Sequence, residues 1–96
     1  MSTLAKLHTI PRTPLAHTPT PIEPLPNLGK YLGSGVLYVK RDDCTGLALG
    51  GNKARQLEYY FGDALEQSAD TVLITGAVQS NFVRMAAAAA RKVGME

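Results

Sequence analysis

The sequence predicts an α/β fold, an open parallel sheet flanked by helices. Three observations point there. Residues 36–40 (Val-Leu-Tyr-Val-Lys) and 71–75 (Thr-Val-Leu-Ile-Thr) have the β-branched and aromatic character of strands. Each run is followed by a helical pattern, the first from about Asn52 and the second from about Ser80. Apolar residues make up 45% of the chain and charged residues 19%, the balance of a packed protein rather than a disordered one.

The elements follow in order. All six prolines lie between Pro11 and Pro26. Proline fixes φ and restrains the residue before it, so residues 11–21 are expected to be an extended arm lying across the domain surface. The spacing Pro11-x-x-Pro14 also suits a polyproline ligand, although such spacings arise readily in any proline-rich arm. A short helix over about 25–32 stops at Gly33 or Gly35. The chain thus divides into a proline-rich arm and short helix (1–35) and the start of the α/β domains (36–96). After the first strand, residues 41–51 form a loop rich in glycine and small side chains. The helix over 52–67 places Leu57, Phe61, Ala64 and Leu65 on one apolar face. Asp70 marks a turn before the second strand. The last helix, 80–93, contains five consecutive alanines from Ala86 to Ala90, small side chains that let a neighbouring element approach closely.

Composition narrows the function classes. A net charge of +2, with its basic residues scattered, does not argue for nucleic acid or a membrane surface. No apolar run approaches transmembrane length, and residues 1–10 lack the pattern of a signal peptide. A single cysteine, Cys44, cannot form an internal disulfide, which fits a reducing cytoplasm; it also has no histidine or second cysteine at motif spacing, so no metal site is expected. Two strands are too few for a parallel sheet covered on both faces. The chain is therefore expected to be the N-terminal portion of a longer polypeptide, with a complete small α/β protein as the alternative.

The chemistry concentrates around Lys53. It follows Gly50-Gly51-Asn52, where the backbone can bend sharply and another group can approach closely. It also falls in the first turn of a helix, where unpaired N–H groups disfavour a cation. Partial burial there would favour the neutral amine, the form that attacks a carbonyl. A second candidate segment is Gly76-Ala77-Val78-Gln79-Ser80-Asn81, between the second strand and the last helix, where backbone N–H groups can receive an anion. Ser80 reads as an N-cap whose hydroxyl can also meet a substrate carboxylate or assist proton transfer, and Asn52 reads equally as an N-cap or a ligand. Arg41, Asp42 and Asp43 read as a charged strand end that braces the loop through ion pairs.

Together, Lys-Arg-Asp-Asp (40–43), Gly-Gly-Asn-Lys (50–53) and Gln-Ser-Asn (79–81) resemble the N-terminal part of the D-cysteine desulfhydrase and aminocyclopropane-carboxylate deaminase family. These are pyridoxal-phosphate enzymes of the tryptophan-synthase-β-like fold, also called fold type II. The resemblance runs from about Thr18 to Glu96. It implies pyridoxal 5'-phosphate as cofactor, with Lys53 as the Schiff-base lysine and, once released, the base for the substrate α-proton. It further implies that Asn81 contacts the cofactor ring hydroxyl, that Asn52 and Asn81 line the cofactor, and that Gln79, Ser80, Asn81 and Phe82 face the substrate. Lys53 and Ser80 are the expected catalytic pair. Phe82 stands where the family usually has histidine or another polar residue, and Gln56 replaces a common lysine. The glycine-rich loop that cradles the cofactor phosphate lies much later in such proteins. The implied activity is a lyase or deaminase on a small amino acid, foremost α,β-elimination from D-cysteine, in a cytoplasmic homodimer. Cysteate and aminocyclopropane carboxylate are the alternative substrates within the family. The competing class is a non-catalytic module that binds a small anion at Ser80.

Overall fold

A computed structural model describes the protein over residues 2–33 and 35–96. Its elements are α1 (Thr3–Leu7), β1 (Ile22–Pro24), α2 (Pro26–Leu32), β2 (Tyr38–Lys40), a tight turn over Leu47–Leu49, α3 (Lys53–Glu66) and α4 (Asn81–Val93). The core sits between α3 and α4. Ala54, Leu57 and Phe61 of α3 meet Met85, Ala86, Ala89 and Ala90 of α4, and Leu15 and Met95 close the ends. The alanine run does what its size allows: Ala86, Ala89 and Ala90 are buried one turn apart while Ala87 faces outward.

Residues 11–21 carry no helix or strand and lie along α3. The Thr13 N–H donates to the Glu58 carbonyl at 2.9 Å. Gly62 permits the crossing, since a Cβ there would sit 2.6 Å from backbone atoms of Pro11 and Arg12. The helix expected over 25–32 forms as α2, starting on Pro26 and stopping where Gly33 turns left-handed at φ 60°. α1, its N-terminus capped by the Ser2 hydroxyl, was not anticipated, and none of its residues is buried.

Two local features of the sheet, among the described residues, differ from expectation. The hydrogen-bonded sheet among the described residues is antiparallel, pairing β1 with β2 in the register Ile22↔Lys40, Glu23↔Val39 and Pro24↔Tyr38. β1 hid in the proline-rich region. Pro24 is tolerated there because a two-stranded ribbon leaves each strand an unpaired side. The second correction concerns residues 71–75, which form no strand. A strand exists by pairing, and among the described residues only Glu96 returns to this segment. The Val72 N–H donates to the Glu96 carbonyl at 2.7 Å, and the Glu96 N–H to the Asp70 carbonyl at 2.9 Å. That slanted pair is the start of a parallel ladder. The side chains already alternate as in a strand: Val72 and Ile74 turn toward the core, while Leu73 is 94% exposed.

The radius of gyration is 16.6 Å, with a shortest extent of 19 Å. A compact domain of this length has a radius near 12 Å. The fold is therefore a thin slab of about two layers, with one face of residues 71–78 uncovered.

Candidate active site

The loop entering α3 has an unusual backbone. Positive φ occurs at Gly46 (87°), Ala48 (47°), Leu49 (73°), Gly50 (83°) and Gly51 (143°). Glycine takes such angles freely, whereas Ala48 and Leu49 each cost about 1–2 kcal/mol. Side chains from elsewhere hold the strained path. Thr45, fully buried, donates its hydroxyl to the Gly51 carbonyl at 2.6 Å and accepts the Gly51 N–H at 2.9 Å. Arg84, from the second turn of α4, donates to the Ala48 carbonyl at 2.6 Å and to the Gly50 carbonyl at 3.1 Å. A Cβ on Gly50 would overlap the Asp43 carbonyl oxygen, and one on Gly51 would lie 2.8 Å from the Met85 Sδ.

Lys53 is the first residue of α3 and is half-buried. It takes part in no ion pair among the described residues. Asn52 occupies the cap position but makes no side-chain cap bond. Its backbone is already helical (φ −67°, ψ −20°), whereas a capping side chain needs an extended backbone to reach the N–H groups ahead. The N-cap reading of Asn52 is therefore corrected, and its amide stands exposed beside Lys53.

The second segment behaves as expected at Ser80. Its backbone is extended (φ −63°, ψ 117°), and its Oγ accepts the Val83 N–H at 3.2 Å. The turn before it is tight, since a Cβ on Gly76 would meet Val83 Cγ2 at 2.7 Å. Gln79 and Asn81 are exposed on either side of Ser80. Phe82 turns away from them. Its ring packs edge-on against Tyr60, with centroids 6.5 Å apart and planes at 80°. It joins Leu57, Phe61, Val72 and Ile74 around an apolar cleft of about 350 Å³, which none of Lys53, Gln79, Ser80 or Asn81 lines. The polar candidates and the apolar cleft are thus separate features. Through Arg84 the structure joins the glycine loop before Lys53 to the helix that begins after Ser80.

Charged residues brace this frame. Arg55, in the first turn of α3, donates to both Asp42 oxygens at 2.6 and 3.2 Å, and the Thr20 hydroxyl donates to Asp42 at 2.6 Å. Those bonds hold the Asp42 carboxyl at a pKa of about 2. Arg41 bridges Asp43 and Glu23, and its hydrogen bonds likewise bring Asp43 to about 2. The expected bracing role of the strand-end charges is therefore met. Thr45, Arg84, Arg55 and Glu58 escaped the sequence reading. Arg55 and Arg84 left a signal, each a cation near a helix N-terminus, where the dipole disfavours it.

The pyridoxal-phosphate dependent enzyme model matches residues 13–96. The chain belongs to that family. It is 55% identical over 92 residues to a 1-aminocyclopropane-1-carboxylate deaminase of Burkholderia multivorans, covering 94% of this chain and 27% of that protein. It is 51% identical to a D-cysteine desulfhydrase of Salmonella paratyphi B, covering 96% of this chain and 28% of that one. A crystal structure described as an ACC deaminase homologue superposes with a TM-score of 0.90 at 46% identity, over 100% of this chain and 30% of that one. The fold is thus that of an α/β pyridoxal-phosphate enzyme, of which this chain spans under a third of the length. Among the groups described above, the Lys53 amine is the kind of group that the aldehyde of pyridoxal phosphate takes. Lys53 offers a half-buried primary amine outside any ion pair among the described residues, preceded by Gly50 and Gly51, whose Cβ positions are occupied by neighbouring atoms.

Proposed function

We propose that this chain forms the lysine-bearing N-terminal part of a pyridoxal-phosphate-dependent lyase or deaminase acting on a small amino acid. The foremost substrate is D-cysteine, cleaved with water to pyruvate, ammonia and hydrogen sulfide. The observation that carries the reading is Lys53, outside any ion pair at the start of α3 on a rigidly held glycine loop, in a chain about half identical to enzymes of this kind. Bound pyridoxal phosphate supplies an aldehyde that an amine can capture and a protonated ring that acts as an electron sink.

The chain's own residues divide the remaining tasks. Lys53 would hold the cofactor through Nζ and, with that amine free, would take the substrate α-proton at the same atom. Ser80 uses its remaining hydrogen-bonding capacity on the substrate carboxylate, with Gln79 beside it. Asn81 would meet the cofactor ring hydroxyl, and Asn52 would help hold the cofactor. Phe82 stays packed on Tyr60 over the separate apolar cleft, away from these contacts. The complete enzyme acts as a cytoplasmic homodimer in this reading.

Deamination of aminocyclopropane carboxylate is the second reading, favoured by the 55% identity to a deaminase against 51% to a desulfhydrase. The test is turnover by the full-length protein of D-cysteine, cysteate and aminocyclopropane carboxylate side by side, with Lys53→Ala as control. Loss of turnover and of visible cofactor absorbance in Lys53→Ala supports the assignment. Turnover that survives that change without added amine sinks it.

A further inference from the structure

We infer that Thr45 and Arg84 are positioning residues for the reactive amine, forming a clamp that fixes the glycine loop and so aims Lys53. The inference rests on the reading of Lys53 as the cofactor lysine and assigns that site two supports. Five of the six residues from Gly46 to Gly51 have positive φ, two of them without the freedom of glycine. Such a path persists only where its surroundings over-determine it.

The carbonyls of Ala48, Gly50 and Gly51 are the loop's exits toward other conformations, and each is held by a side chain from outside the turn. Arg84 takes the first two from α4, and Thr45 takes the third while also accepting the Gly51 N–H. Gly51 lies two residues before Lys53, so a backbone rotation there swings the lysine stem directly. Arg84 also lies one helical turn beyond Ser80, whose carbonyl accepts the Arg84 N–H at 3.2 Å. The same arginine therefore sets the distance between the amine's loop and the Ser80 segment. Neither side chain needs to touch cofactor or substrate to do this.

The test uses the full-length protein and its Thr45→Val, Thr45→Ser and Arg84→Met variants. Each is treated with pyridoxal phosphate and borohydride, and mass spectrometry measures labelling at Lys53 against Lys6, Lys30 and Lys92. Amide hydrogen exchange is followed at residues 50–53. The wild type is expected to label selectively at Lys53. Thr45→Val and Arg84→Met should lose at least tenfold of that selectivity and exchange faster at 50–53, with the exchange of α4 core amides unchanged. Thr45→Ser keeps the hydroxyl and should restore both readouts.

Selective wild-type labelling that persists undiminished in Thr45→Val and Arg84→Met overturns the inference and leaves the function reading intact. Loss of labelling in Thr45→Ser equal to that in Thr45→Val also overturns it. A wild type that labels Lys6, Lys30 and Lys92 as much as Lys53 overturns the reading of Lys53 and this inference with it.

Discussion

Arg12 of the arm and Glu58 of α3 form an ion pair whose two ends sit in different surroundings, with the guanidinium 44% exposed and the carboxylate 1% exposed. The same carboxylate accepts the Leu15 and Ala16 N–H groups, each at 2.9 Å. A charge at the centre of a helix's buried face is therefore the anchor that fixes the arm. The asymmetry predicts unequal mutations. Glu58→Ala strands two backbone donors and should destabilise the protein by about 2–4 kcal/mol. Arg12→Ala leaves the buried carboxylate without its counter-charge and frees the Tyr59 ring, but with the guanidinium half in water it should cost less, about 1–2 kcal/mol. Glu58→Gln keeps an acceptor and should fall between them. Urea denaturation of the three variants checks the order.

Acid should loosen the same frame. Burial, the largest influence on Glu58, pushes its carboxyl up, but the Ala16 and Leu15 N–H groups and Arg12 outweigh it and hold the carboxyl below the usual range. Asp42 and Asp43 are lowered to about 2. A carboxyl whose folded pKa lies below its unfolded one contributes stability above the unfolded value and loses it as pH falls through the folded value. Denaturation midpoints should be flat down to about pH 5, then decline progressively toward pH 2. Glu58→Gln should flatten part of that decline. A midpoint that holds constant down to pH 2 contradicts the assignment of these three anchors.

Gly62 tests the crossing of the arm. Glycine to alanine inside a helix ordinarily stabilises by up to about 1 kcal/mol. Here the new methyl would meet arm backbone, which cannot rotate aside as a flexible side chain does. Gly62→Ala should therefore destabilise, with faster amide exchange at Thr13, Leu15 and Ala16. A stabilised variant would show that the arm does not lie across α3.

Ser80 separates its two roles. As a cap, Ser80→Ala should cost about 1 kcal/mol and Ser80→Gly only a few tenths. If its hydroxyl also meets the substrate, turnover should fall at least tenfold in both variants alike, regardless of stability. Turnover that tracks the denaturation midpoint instead leaves Ser80 with the cap alone.

The family resemblance was legible in short motifs because local chemistry dictates them: glycines before a lysine, a serine before a helix, charges at a strand end. The helices were legible for a related reason. The bounds of α3 and α4 follow apolar spacing, and Gly33 and Gly94 end α2 and α4 through a left-handed angle that glycine takes freely. Residues 71–75 misled because a strand's sequence records only its preference to pair, while the pairing itself needs a neighbour. β1 was hidden for the converse reason, since a ribbon with an unpaired side accepts a proline that a central strand would not.

The sequence by itself determined which residues carry reactive groups and where helices start and stop, because those depend on side-chain chemistry and on contacts within one or two turns. Only the tertiary structure decided that Glu58 is buried as an anchor, that Arg84 reaches 36 residues back to Ala48, and that Phe82 packs on Tyr60. These are pairings across the chain, where a side chain's role is set by the partner that folding brings to it.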